Sequence, residues 1–344
     1  MRFKWSSGVL ISARSAISTL LVTLVAAFVL SFVVGRYPIP VDKVVEVLAS
    51  QVLPIKHTWP STYDTIVMEI RLPRILAAVL VGASLAIAGA AFQGLFRNPL
   101  VSPDILGVSS GAGFGAALAI LFYASRFMIQ VSAFSLALVA VGVTYGVSEM
   151  VRGNPTLSLI LSGVAIGSLF SAFLSLAKYV ADPLNQLPAI TYWLLGSLAS
   201  LTYRDLSFAA IPMLSGLIIL LLIRWRLNVV AMGEEEAMAL GLNMNRLRLL
   251  ITICCTMVTA ASVSISGTIG WVGLVIPHIG RMLVGPDHKK LLPVTVLLGA
   301  SYLLVIDDIA RVMAEVEIPI GILTAIIGAP FFLYLLYSRR EVWA

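Results

Sequence analysis

Apolar residues fill this chain in runs of about twenty, separated by short polar joints that collect Gly, Pro, Asn and charge. The runs fall at about 16–34, 75–96, 105–123, 129–150, 157–177, 206–223, 249–266, 269–284, 291–306 and 319–337. An α-helix needs about 20 apolar residues to cross a bilayer. The pattern therefore predicts an all-α polytopic membrane protein of about ten spans, one domain over 1–344, with no room for a large soluble unit. Three stretches depart from it. Residues 35–70 carry Pro38, Pro40, Pro54 and Pro60 and predict an external loop holding one short amphipathic helix near 41–52. Residues 178–203 contain an apolar stretch at 189–201 that is too short to cross easily, which predicts a half-buried or re-entrant helix. Residues 228–248 are polar yet helical in character, with Glu234, Glu235 and Glu236 followed by Gly241.

Composition agrees. The chain has 344 residues, 59% hydrophobic and 12% charged, with a mean hydropathy of +1.00, against about 25% charged residues in soluble domains. The net charge of +6 comes from basic residues scattered among run ends, so it points away from nucleic acid and toward membrane orientation. With the N-terminus inside, 14 of the 23 basic residues fall inside, including the pairs Arg224/Arg226, Arg246/Arg248, Lys289/Lys290 and Arg339/Arg340. The positive-inside rule then predicts cytoplasmic termini. Arg2, Lys4 and Arg14 precede the run at 16–34, whose length favours a retained first span over a cleaved signal peptide. Cys254 and Cys255 are adjacent, a poor geometry for a mutual disulfide, and His57 has no partner at metal-ligand spacing.

The stretch Gly82 to Gly115 organises the chain. A helix rich in small residues stops at Asn98-Pro99, crosses a polar turn and resumes with Gly107, Gly111 and Gly115 four residues apart. Pro99 and Pro103 bias the residues before them away from helix. Glycines at this spacing, repeated at Gly163 and Gly167, allow close helix approach in lipid; taken alone they are a packing seam.

Enzymatic chemistry finds no support. The chain has no GxxxxGK[ST] phosphate loop, no HExxH helix and no GxSxG elbow. Gly111-Ala-Gly113-Phe114-Gly115 brushes against a dinucleotide fingerprint without its βαβ context. Ion-coupled carriers usually hold carboxylates near the midplane. Here Asp307 and Asp308 are expected at a span end, and Glu149 and Asp104 near loops. An ion-coupled secondary transporter is the alternative reading.

Several segments in order resemble one family: Arg71-Leu-Pro-Arg74, Gly82 to Gly113 with Gln93 and Asn98-Pro99-Leu100, Trp193-Leu-Leu-Gly196, Gly270-Trp-Val-Gly273-Leu-Val-Ile-Pro277-His278, Asp287-His288, and Pro319-Ile-Gly321 through Gly328-Ala-Pro330. They are similar to the permease subunits of type II ATP-binding-cassette importers, which take up vitamin B12, haem, ferric siderophores or molybdate. The resemblance implies a homodimer with a pathway on its two-fold axis, two cytoplasmic ATP-binding subunits and an extracytoplasmic substrate-binding protein. It implies no catalytic residue, cofactor or metal in this chain. By resemblance, Glu234, Glu235, Glu236, Ala237, Leu240 and Gly241 couple to the ATPase, and Arg71, Arg74 and Arg311 hold the binding protein. Gln93, Asn98, Pro99, Gly107, Gly111, Gly163 and Gly167 are expected to pack or gate helices. Bland readings stand beside these: a solvated acidic turn, Arg71 and Arg74 as headgroup anchors, and an Arg311–Asp307 pair within one helix. The cargo stays open, since Tyr179, Tyr192 and Trp193 suit a flat chelate whereas Lys178 and Arg204 suit an anion.

Overall fold

The structure, a computed structural model, describes residues 11–54, 56–151 and 153–338. Arg2, Lys4, Arg339 and Arg340, and with them both termini, lie outside the described residues. No strand occurs among those described. The helices are α1 (Ala13–Ser31), α2 (Val41–Ser50), α3 (Ser61–Asp64), α4 (Leu72–Leu95), α5 (Val108–Leu121), α6 (Arg126–Met150), α7 (Pro155–Val180) and α8 (Gln186–Leu195). They continue as α9 (Tyr203–Leu222), α10 (Arg224–Met232), α11 (Glu234–Ala239), α12 (Met244–Ser266), α13 (Val272–Val284), α14 (His288–Val312) and α15 (Ile320–Ser338). Among the described residues, seven helical stretches are long and apolar enough to cross a membrane, joined by the shorter apolar helices α5, α13 and α15.

Local chemistry sets the starts. Asn154 accepts from Thr156 N at 2.9 Å ahead of Pro155 in α7, Thr202 and Asp205 form a capping box on α9, and Asn243 accepts from Arg246 N at 3.0 Å on α12. These satisfy helix N–H groups that have no partner within the helix.

The core is built on α4, buried almost throughout and packed between α14, α12 and α13. Small residues make this possible. A Cβ on Gly82 would lie 2.2 Å from the Gly299 carbonyl oxygen, and one on Gly89 would lie 1.8 Å from that of Gly273, so these helices touch backbone to backbone. Around this pair α1, α6, α7 and α9 keep broad apolar faces uncovered, as lipid or a neighbouring chain requires.

Two ends of the bundle can be named by their contacts. At the arginine end, Arg74 at the start of α4 meets Asp307 near the end of α14, and Arg126 meets Asp205 at 3.2 Å. At the glutamate end, Asn228 Nδ2 donates to Asp287 at 2.6 Å, and Arg248 donates to Glu234 at 2.6 Å. Ile11 N donates to the Leu283 carbonyl at 3.1 Å, so the first described residues sit toward the glutamate end.

The structure departs from the sequence pattern in four places. The second span extends back to Ser61 through a wide π turn at Thr65–Arg71, well before the expected start near residue 75. The runs at 105–123 and 269–284 are not continuous helices from end to end. α5 and α13 have 14 and 13 residues, about 20 Å each at 1.5 Å per residue, and their apolar runs continue as irregular backbone buried inside the bundle. Gly107 is not part of the seam of Gly111 and Gly115. It caps α5 at φ +84 and faces Gly167 of α7, whereas Gly111 and Gly115 press on α6. Finally, Asp104 is not at a surface loop. It sits in a short turn at Pro103–Leu106 packed among three helices, against Gly163 inside α7 and against Gly273 at the start of α13, where Gly273 in turn meets Leu85 in the middle of α4: a Cβ on Gly163 would meet the Ile105 carbonyl at 2.3 Å, and one on Gly273 would meet Pro103 at 2.5 Å and the Leu85 carbonyl at 2.9 Å.

Candidate functional site

Three polar clusters break the apolar bundle. At the arginine end, the three predicted docking residues come together from distant parts of the chain, and all are buried. Arg74 bonds Asp307 through Nε at 3.0 Å and Nη2 at 2.9 Å, and reaches Glu317 at 3.0 Å. Arg311 pairs with Asp307 at 3.1 Å, one turn back, and with Asp308. Arg71 donates to the carbonyls of Phe32 and of Tyr37, the latter at 2.6 Å. The intrahelical Arg311–Asp307 pair is therefore formed, and every one of these guanidinium groups is spent within the chain. None is an open fork awaiting a partner carboxylate.

At mid-bundle, helix ends converge. α8 ends at Gly196 with φ +77, α12 ends at Gly267 with φ +68, α13 begins after Trp271 with φ +69, and α5 and α15 begin nearby. Backbone groups freed by the breaks satisfy one another: Ser197 N donates to Ser266 O at 2.8 Å, Ile320 N to Gly196 O at 2.9 Å, and Thr268 Oγ1 to Leu194 O. Close approach demands glycine here, since a Cβ on Gly321 would lie 2.5 Å from the Leu195 carbonyl. Beside this junction opens a cavity of about 500 Å³, lined by Asp104, Ser109, Thr268, Trp271, Ile322 and Ile326 among others. Asp104 is its one charged lining residue. Ser109 Oγ donates to the Asp104 carboxylate, which is exposed to the cavity. Trp271 lies in the family segment that begins at Gly270, but nothing in the residue pattern marks Trp271 or Thr268 as lining a cavity; irregular backbone inside a bundle is visible only in three dimensions.

At the glutamate end, α11 presents the acidic stretch. Glu234 is tied to Arg248 and to Thr156 Oγ1 at 3.3 Å, Ala237 is fully buried, and Leu240 and Met238 are exposed. Gly241 follows at φ +79 with open space around its Cα. A groove of about 510 Å³ runs beside α11 between Phe96, Arg97, Thr156 and Glu234 to Glu236. Next to it, Asp287 caps α14. Burial raises the cost of its charge, but bonds from the Asn228 amide and Lys289 N, with Lys290 nearby, hold its carboxyl below the usual range.

Of the predicted packing residues, Gln93 is buried and donates to Val101 O at 3.2 Å and Gly273 O at 3.3 Å while accepting from Arg281. Asn98 is exposed and caps its own turn by accepting from Leu100 N at 2.9 Å. Gly107, Gly163 and Gly167 meet around the Asp104 turn. Pro99 is half-buried in that joint.

The sequence that folds this way matches the FecCD transport family over residues 23–338. The chain belongs to the FecCD transport family. It is 42% identical over 318 residues to the molybdate import system permease protein MolB of Haemophilus influenzae, covering 92% of this chain and 94% of that one. It is 44% identical over 288 residues to the cobalamin import system permease protein BtuC of Halobacterium salinarum, covering 83% and 77%. Its fold is similar to a solved metal-chelate type ABC transporter in an inward-facing conformation, with TM-score 0.84, 42% identity, and coverage of 94% of this chain and 99% of that one. The resemblance read from the sequence is thus correct at the level of the family. As a FecCD member the chain is a permease-type protein of helical, multi-pass construction.

Proposed function

We propose that this chain is the membrane-spanning subunit of an ATP-driven importer in a prokaryotic inner membrane, working as a homodimer by alternating access. The mid-bundle cavity carries this reading. Irregular backbone at membrane depth is tolerated only where protein buries it or where it lines a water-filled space, and here the breaks at Leu195, residues 268–271 and Gly321 border this cavity. Two copies arranged about a two-fold axis would pool their cavities into a cargo path.

Among the family relatives named above, one imports molybdate and one cobalamin, so the cargo is a metal chelate or another metal-containing solute. The driving force comes from two ATP-binding subunits that dock at the groove beside α11, within 228–248, through Glu234, Glu235, Glu236, Ala237, Leu240 and Gly241. The glutamate end is then cytoplasmic, with both termini, and the arginine end receives an extracytoplasmic binding protein. Arg71, Arg74 and Arg311 support that surface from beneath. ATP hydrolysis belongs to the partner, and the chain itself is no enzyme.

Reconstitution with the ATPase subunit and the binding protein in proteoliposomes tests this. ATP-dependent uptake of cobalamin, haem, a ferric siderophore or molybdate is expected. Uptake driven by an imposed proton or sodium gradient without ATP would overturn it in favour of a secondary carrier.

A further inference from the structure

We propose that Asp104 makes the mid-bundle cavity a cation-selective passage, so that the cargo crosses it as a solute of zero or positive net charge and not as a free oxyanion. The inference rests on the reading of this cavity as the cargo path. Among the cavity's lining residues the other groups are apolar side chains, backbone, the hydroxyls of Ser109 and Thr268 and the indole of Trp271. One carboxylate therefore sets the sign of the local field.

No basic residue lines the cavity to cancel it. The bond that Asp104 does receive comes from Ser109, a neutral hydroxyl and not a cation. The turn holding Asp104 is fixed on three sides by Gly163, Gly167 and Gly273, whose missing side chains let it sit between helices, so the carboxylate cannot swing to the surface. Low-dielectric walls focus such a field and change the local concentration of ions by a decade or more. A dianion such as molybdate is excluded, and so is a ferric tricatecholate of high negative charge. Cobalamin and ferric trihydroxamates, neutral or cationic, pass. Two copies facing one axis would present two such carboxylates. The first of the relatives named above imports molybdate, so the inference separates this chain from that relative in cargo.

The test reads the field directly. Ala325 lines the cavity and is half-buried, whereas the native Cys254 and Cys255 are buried and serve as silent controls. In Ala325→Cys, the full complex in proteoliposomes is reacted with a cationic and an anionic methanethiosulfonate of similar size, and their rate ratio is normalised to that on a free thiol. The normalised ratio should favour the cation by about tenfold, and Asp104→Asn should bring it close to one. A ratio near one before the second substitution, or one that Asp104→Asn leaves unchanged, overturns the inference. Absence of any labelling at position 325 from either side would instead defeat the reading of the cavity as a water-filled path, and the selectivity with it. A second arm uses wild-type complex and two probes, cobalamin and molybdate. Robust ATP-driven uptake of molybdate overturns the inference while leaving the importer reading intact.

Discussion

Arg74 and Asp307 lie 233 residues apart and meet in a two-pronged ion pair, with Nε at 3.0 Å and Nη2 at 2.9 Å from the carboxylate. Asp307 is fully buried and shared with Arg311, so the pair locks the start of α4 to the end of α14 where those helices form the core. Removing one partner of a buried pair leaves the other charge uncompensated, which costs about 3–5 kcal/mol. Arg74→Ala should therefore lower the melting temperature of the detergent-solubilised protein sharply, and Asp307→Asn by a comparable amount. The double variant should recover part of the loss. Near-native melting of Arg74→Ala would mean that the pair is not what joins these helices.

The same geometry redirects the docking question. Charge reversal at a residue that only docks a binding protein would weaken association and spare the fold. Because Arg74 is buried and paired, Arg74→Glu should first destabilise the permease itself, with lower expression and lower melting temperature. Measuring binding-protein affinity alongside melting separates the two: weakened affinity in a normally folded protein would restore a direct docking role.

A conformational requirement is expected at Gly241. Its φ of +79 lies in the left-handed region, and no atom would obstruct a Cβ there, so the cost of substitution is backbone strain alone. Gly241→Val should shift the end of α11 by penalising that turn, reducing the proposed coupling between ATP hydrolysis and transport while leaving the protein folded. Gly241→Asn, which tolerates this region better, should fall between. Full transport and normal ATPase stimulation in Gly241→Val would remove α11 from the coupling surface.

Close helix contact gives a steric prediction. Gly82 and Gly299 cross so tightly that a Cβ on either meets the other's backbone at 2.2–2.3 Å. Gly82→Leu should prevent α4 and α14 from packing and abolish accumulation of folded protein. Gly142→Ala, where nothing lies within 4 Å, should be silent. Equal yields of the two variants in membranes would contradict the packing described.

How much of this was legible in the sequence follows from what each signal measures. Apolar runs locate helices in the chain, and each of the ten runs contains one of the apolar helices. Hydropathy is blind to backbone breaks and to depth, however, which is why 105–123 and 269–284 read as unbroken helices although Pro103, Gly107 and the Gly267–Trp271 bend shorten them. Asp104 escapes the pattern for the same reason: with Pro103 beside it and Asn98-Pro99 just upstream it looks like a surface loop, and only the glycine contacts of the turn reveal its depth. Family resemblance picked out Arg71, Arg74 and Arg311, but partners more than 200 residues away, such as Asp307, are beyond any local pattern.

Orientation is the last expectation, and it links the charge pattern to the ends of the bundle. The pairs Arg224/Arg226, Arg246/Arg248 and Lys289/Lys290 all fall at the glutamate end, beside α10, α12 and α14. Basic residues within a few positions of span ends resist translocation, so this end is expected in the cytoplasm. Two reporters suit the test because both are exposed and lie at opposite ends: Glu235 on α11 and His57, which bonds Asp64 at 2.8 Å in the segment before α4. Neither Cys254 nor Cys255 is reachable, so a single introduced cysteine gives the signal. In intact cells an impermeant maleimide should label His57→Cys and not Glu235→Cys, and in inverted vesicles the pattern should reverse. Replacing the exposed Lys289 and Lys290 by Gln should weaken the preference without moving α14, since His288 and the Asp287 cap that hold its start remain. Labelling of Glu235→Cys from outside in intact cells would invert the topology, and would carry the proposed ATPase groove to the wrong face of the membrane.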